Sequence, residues 1–313
     1  MVAPSRRRIA SGHERAYRVR IADGQVTGED VGDASLARRL AAQLYERPGN
    51  RQTARALGAM MIPPGPATGT LHVLALGPLG KAPLAALRDD TGALIIARRP
   101  LERILALATA QPAPPRTDRA VIIAAPRGER PGSALEGAIV ARALGSDAQR
   151  AGSGTGDAAT RSVLWSARDA DLLHLAGDIV AAPPWRVLRL ADGDVEPAEL
   201  VWRGVAPRIA VLSSNSSAVA MDEEGWGSLA SALVQAGTEV VIATDRRISD
   251  TDPLLVIPGL YDQPGWRTDP ARALARVQRA LDAWSSTSVN DESSASSWAA
   301  FGVVRRPPYV APR

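Results

Sequence analysis

Short runs of valine, isoleucine and leucine alternate along this chain with longer segments of helical periodicity, and that alternation narrows the possible folds more than any other feature. Residues 71–76, 94–97, 120–125, 171–176, 209–212, 239–243 and 299–304 are rich in apolar side chains and of strand length. Runs of this kind predict strands buried on both faces. Between them, residues 101–108, 134–144, 158–167, 226–236 and 271–284 carry apolar side chains at helical spacing. The alternation predicts an α/β fold with a mostly parallel central sheet sandwiched by helices.

The first residues read differently. Tyr17, Val19 and Ile21 alternate with arginine and alanine, and Asp23-Gly24 precedes Val26, which predicts an N-terminal hairpin. A helix follows, capped by Asp33 or Ser35, with Leu36, Leu40 and Leu44 on one face and Pro48-Gly49-Asn50 as its stop. Residues 51–61 suit a second short helix. The proline-rich stretch 111–117 and the serine-rich stretch 285–297 read as exposed loops, and the strand pattern continues across both. The expectation is a single domain over residues 1–313, with 1–65 as hairpin and helical lead-in and 66–313 as the α/β core.

Composition removes several chemistries. None of the 313 residues is cysteine, so no disulfide, thiolate nucleophile or thiolate metal ligand is available. Histidine occurs only as His13, His72 and His174, too far apart in sequence to suggest a local metal pair, and no metal or cofactor is expected. The net charge is +4, with Lys81 an isolated lysine among the arginines. Aromatic residues make up 4% and do not alternate with the basic ones, so no nucleic-acid surface is expected. The longest apolar runs fall far short of a bilayer span, so no membrane association is expected. Arg6-Arg7-Arg8 is followed by residues too polar for the apolar segment of an export signal, which suggests a soluble cytoplasmic protein.

In open α/β sheets, ligands and reacting groups sit in the loops leaving the carboxyl ends of the strands. Two such places stand out. The run 172–176 enters Gly177-Asp178, and the run 209–212 enters Ser213-Ser214-Asn215-Ser216-Ser217. Here the chain resembles the CHAT domain, a bacterial branch of the caspase-like cysteine peptidases. Residues 77–87, Gly-Pro-Leu-Gly-Lys-Ala-Pro-Leu-Ala-Ala-Leu, are similar to the family's GPLxxxPFxAL segment. Residues 170–178 resemble its aDvlHLATHG motif, residues 211–218 its VLSACETG motif, and residues 297–301 its closing xWAAF strand.

The resemblance implies a caspase-like fold with a histidine base and a cysteine nucleophile at two positions, which here hold Asp178 and Asn215. In such a dyad a thiolate attacks a peptide carbonyl while an imidazole accepts and returns the proton. An asparagine amide is not a nucleophile for that step. An ordinary aspartate is too weak a base to cycle a proton near neutrality. The resemblance therefore implies a pseudoprotease that acts by binding, as scaffold or regulator. Its partner would be an active caspase-like protease in a bacterial defence system, or a second copy of itself.

Two alternatives stay open on the sequence. One is a hydrolase in which Ser213, Ser214 or Ser216 replaces the thiol and Asp178 or His174 supplies the base, although no Gly-x-Ser-x-Gly elbow occurs. The other is a peptide-binding module that keeps the cleft, with Asp250 either a charged anchor or a turn former. His174 and Gly177 then belong to the floor of the vestigial pocket, His174 as a buried histidine with a backbone partner. His72 takes the same bland reading. Residues 151–156 resemble a phosphate loop but lack its Lys-Ser/Thr pair and read as a flexible connector. Asp222-Glu223-Glu224 suit a helix start.

Overall fold

The computed structural model describes residues 14–22, 25–64, 69–105, 117–128, 131–145, 152–183, 185–215, 217–218, 227–285 and 291–307. The turn at Asp23-Gly24, His13, Ser216, Asp222-Glu223-Glu224 and nearly all of the proline-rich stretch lie outside them. The chain opens with β1 (Arg15–Ala22) and β2 (Gln25–Asp33), paired antiparallel. Arg15 meets Asp30 and Arg18 meets Glu29 across the ribbon, and Arg18 Nη1 also donates to the carbonyl of Ala59, 3.0 Å away. Two helices follow, α1 (Ala34–Glu46) and α2 (Arg51–Met61). Asp33 caps the first through Ser35 N–H and Asn50 caps the second through Thr53 N–H, each relieving an orphan amide of the first turn.

The rest runs β3 (Leu71–Val73), α3 (Ile95–Arg98), β4 (Leu101–Ile104), β5 (Ala120–Ala124), α4 (Pro131–Leu144), β6 (Ser153–Thr155), α5 (Arg161–Trp165), β7 (Leu172–Ala176), β8 (Asp178–Ala182), β9 (Trp185–Leu190), β10 (Gly193–Val195), α6 (Pro197–Arg203), β11 (Ile209–Leu212), α7 (Leu229–Ala236), β12 (Val240–Thr244), α8 (Pro253–Tyr261), α9 (Pro270–Ser285), α10 (Asp291–Trp298) and β13 (Phe301–Arg305). Eight strands form the central sheet in the order β3-β4-β13-β12-β11-β7-β5-β6. Every pairing is parallel except that of β12 with β13. The fold is therefore α/β with a mostly parallel central sheet sandwiched by helices, preceded by a hairpin and helix. A separate antiparallel sheet of β8, β9 and β10 follows directly on β7.

Strand alternation divides the core into two layers. Ile122, Leu172, Val211 and Ile242 pack with Val140, Val256, Leu274 and Trp298 on the face of α4, α8, α9 and α10. Their neighbours Ile123, Leu173, Leu212 and Val241 pack with Leu164, Leu200 and Leu233 on the face of α5, α6 and α7. Helix α4 lies close on β5 because Gly137 has no side chain: a Cβ there would stand 2.5 Å from that of Ala124.

Several local expectations are corrected. Residues 95–98 are helical, and the strand lies at Leu101–Ile104, where a helix was expected. Short apolar runs carry no period that separates the two states. The deciding contacts are tertiary: Leu71 N–H donates to the Pro100 carbonyl, and Glu102 is held between two other strands. Residues 291–298 form a helix within the serine-rich stretch, where buried Ser297 donates to Asp252 at 2.6 Å. Residues 153–155 are an edge strand on β5 and not a connector. The small sheet and helices α6 and α8 were not anticipated.

Glu102 is buried in the middle of the β3-β4-β13 group. It accepts from Arg305 Nε at 2.5 Å and lies 3.2 Å from His72 Nδ1. Burial pushes its carboxyl up, but the hydrogen bonds from His72 and Arg305 outweigh this and hold it below the usual 4.5. Its folded value is thus depressed, so its stabilisation is complete above about pH 4.5 and is lost as pH falls through the folded value. Acid titrations followed by circular dichroism should show a shallower loss of stability below pH 4.5 for Glu102→Gln than for the parent. Gly137→Ala should lower the unfolding free energy by about 1–3 kcal/mol in urea titrations, because the clash with Ala124 exceeds the gain of about 1 kcal/mol in helix propensity.

Candidate functional site

Strands β5, β7, β11 and β12 point the same way, so the loops that leave them converge at one edge of the sheet. The loop after β5 bends sharply, with Ala125 at φ +45° and Arg127 at φ +65°. Such values are costly for residues with a Cβ and persist only where the surroundings impose them. Gly177, at the end of β7, accepts this close loop: a Cβ there would stand 3.2 Å from Pro126. Asp178 begins β8 and stands in cross-strand register with Arg189 of β9.

After β11 the serines serve the loop itself. Ser213 N–H continues the ladder to the carbonyl of Leu175 at 2.9 Å. Ser214 is fully buried, and its hydroxyl accepts from Gly177 N–H at 3.3 Å. The Ser217 hydroxyl donates to the carbonyl of Leu212 at 3.1 Å and accepts from Thr244 N–H at 2.9 Å, while the Thr244 hydroxyl donates to the carbonyl of Ser214. Asn215 ties this loop to the next, accepting through Oδ1 from Ile248 N–H at 3.0 Å.

Asp250 follows in the same loop and reaches helix α4. Its carboxylate accepts from Gly132 N–H at 2.6 Å and from the Ser133 amide and hydroxyl at 3.2 Å each. A carboxylate there satisfies orphan amides and complements the positive end of the helix. Gly132 permits the approach, since a Cβ would meet the Asp250 carbonyl at 2.2 Å. The geometry accounts for Asp250 as a cap.

Beneath these loops lies a buried polar cluster. His174 and Glu136 are both wholly inaccessible, and Tyr261 is nearly so. His174 Nδ1 is 3.0 Å from the Tyr261 hydroxyl, and Nε2 is 3.1 Å from Glu136 Oε1. The partners expected for His174 were backbone groups; both are side chains from helices packed on the sheet. The Glu136 contact lies outside hydrogen-bond alignment, leaving both its oxygens without a partner among the described residues. Burial first, and Glu136 second, push the Tyr261 phenol well above its usual value against the opposing pull of Arg267, so it stays protonated. The tautomer that serves both neighbours has Nδ1 accepting from the phenol and Nε2–H facing Glu136. Trp266 closes the far side of Tyr261, edge to face at 4.6 Å.

The sequence-derived candidates thus converge in part. Gly177, Ser214, Asn215 and Asp250 belong to loops linked at one edge, with Asp178 opening the adjoining sheet and His174 below. His72 lies apart and, against the expectation of a buried histidine with a backbone partner, is exposed beside the Glu102 carboxylate. Glu136, Tyr261, Thr244 and Arg189 were missed. Only Glu136 left a signal, as a lone acid within an apolar helical run. Among the described residues, no group of three or more histidine, aspartate or glutamate side chains is placed to hold a metal ion, and no helix is long and apolar enough to cross a membrane. Tyr261→Phe should cost about 1–3 kcal/mol of stability in urea titrations, because it strips a buried imidazole nitrogen of its partner; an unchanged midpoint would deny the cluster that role.

Comparison with known proteins bears on the same region. Among solved structures, the Arg specific cysteine proteinase gingipain R matches at 10% identity and a TM-score of 0.44, over 68% of this chain and 55% of that one. The complex of the pro- and mature domains of Porphyromonas gingivalis RgpB matches at 12% identity and a TM-score of 0.44, over 67% and 56%. The chain therefore spans just over half the length of either. No curated protein matches. The CHAT domain family model matches residues 38–306, which takes in the whole central sheet and every loop described above, and the chain belongs to the CHAT domain family.

Proposed function

We propose that this CHAT protein does not cleave peptides and acts by holding another protein, as scaffold or regulator. The observation that carries the reading is Asn215. It occupies the place that the motif resemblance gives to the nucleophilic cysteine, its side-chain oxygen is engaged by Ile248 N–H, and the chain has no cysteine to serve from elsewhere. Asp178 takes the place of the base and stands opposite Arg189. A bond-breaking mechanism would need a nucleophile and a proton acceptor within reach of each other. Ser213 and Ser214 are buried, and both ring nitrogens of His174 face Tyr261 and Glu136, so these groups do not replace the lost pair.

A loop edge tied together by the hydrogen bonds of Ser214, Asn215, Ser217 and Asp250 still offers a shaped surface for another chain. The partner class that fits the family resemblance is an active caspase-like protease in a bacterial cytoplasm, or a second copy of this chain. A fluorophosphonate probe should label no serine of the folded protein. Labelling of Ser213, Ser214 or Ser216 that disappears on heat denaturation would replace this reading with that of a serine hydrolase.

A further inference from the structure

A groove of about 180 Å³ lies between α1 and the 3₁₀ turn Gly77–Lys81, lined by Arg38, Ala41, Ala42, Tyr45, Glu46 and Lys81 together with Gly77. Lys81 is the only lysine of the chain and has no hydrogen-bond or ion-pair partner among the described residues. Arg38 pairs with Glu14, but both side chains are largely exposed, and such a pair yields readily to a competing carboxylate.

A third cation lies behind the groove wall. Arg246 follows β12 and is only 6% exposed, and its guanidinium carbon lies 5.0 Å from the centre of the Tyr45 ring that lines the groove. Asp245 meets its Nε at 3.3 Å, while Nη2 is buried without an acceptor among the described residues. Burial first, and Asp245 second, raise the Tyr45 phenol against the weaker opposing pull of Arg246 and of Arg186 of β9, whose Nε is likewise buried and unmatched among the described residues. Against these four cations stand Glu14, Glu46 and Asp245. The apolar wall of Ala41, Ala42 and Tyr45 suits a short methylene stem, while Glu14 and Glu46 at the rim oppose a continuous polyanion such as nucleic acid.

We propose that this groove docks a carboxylate side chain from an acidic, extended segment of a partner protein, received by Lys81 and Arg38 at the rim, with the buried Arg246 guanidinium against Tyr45 adding positive charge behind the wall. The inference takes from the proposed function only that the chain works by holding another protein.

The test is fluorescence anisotropy on the full chain with a labelled octapeptide of alternating glutamate and alanine, against the same peptide with glutamine for glutamate. The glutamate peptide should bind at least tenfold more tightly. Lys81→Glu and Arg38→Glu, both at exposed positions, should each weaken it at least tenfold with unchanged thermal melts, while Arg20→Glu on the hairpin leaves it unaltered. Equal binding of the two peptides, or affinity indifferent to Lys81→Glu, overturns the proposal. So does displacement by inorganic phosphate at the peptide's own dissociation constant, which would mark a small-anion site. These outcomes leave the non-cleaving reading intact, and fluorophosphonate labelling would sink that reading without touching them.

Discussion

Five neighbouring strands, β6, β5, β7, β11 and β12, run in one direction and are covered by helices, and the remaining architecture follows from this. Parallel strands cannot be joined by tight turns, so each connection must cross a face of the sheet, and most carry a helix. Every loop at one end then leaves toward the same edge. Burial on both faces also demands close helix packing, which is why Gly137 stands where α4 meets β5. At the opposite edge, Asp171 and Arg208 form a buried ion pair at 2.5 Å that joins the starts of β7 and β11. Breaking a pair of this kind by removing one partner costs far more than the intact pair contributes.

The polar cluster of Glu136, His174 and Tyr261 is the second constraint. Three groups that water would otherwise solvate are enclosed between α4, β7 and α8, where apolar residues would pack more cheaply. What they supply is position: His174 bonds to Tyr261 of α8 and faces Glu136 of α4, so one strand residue meets both helices. The loops above inherit it. Asp250 reaches the first turn of α4, and Asn215 reaches the chain just before Asp250, so the edge is tied to the same helix that carries Glu136. A site built this way keeps its shape whether or not it performs chemistry.

The family motifs mark positions along the chain, and their meaning depends on the partners they find. In the serine run after β11, one residue extends the strand ladder, one receives the Gly177 amide and one locks to Thr244. Those roles arise between segments about thirty residues or more apart, and no local spacing announces them. Asp250 is the same case. As a lone acid after a strand it reads equally as anchor or turn residue, and only the approach of Gly132 and Ser133 assigns it to a helix end.

The sequence by itself determined the fold class, the N-terminal hairpin, the capped first helix and the exclusion of thiol chemistry. Each depends on local information: apolar periodicity, turn and capping residues, or the absence of a residue type. Tertiary structure alone decided that residues 95–98 coil while 101–104 extend, that β8 to β10 form their own sheet, and that His174 answers to a tyrosine and a glutamate. These outcomes turn on which distant group meets a short apolar run or a buried polar atom, and a run of four residues has too little period to choose for itself.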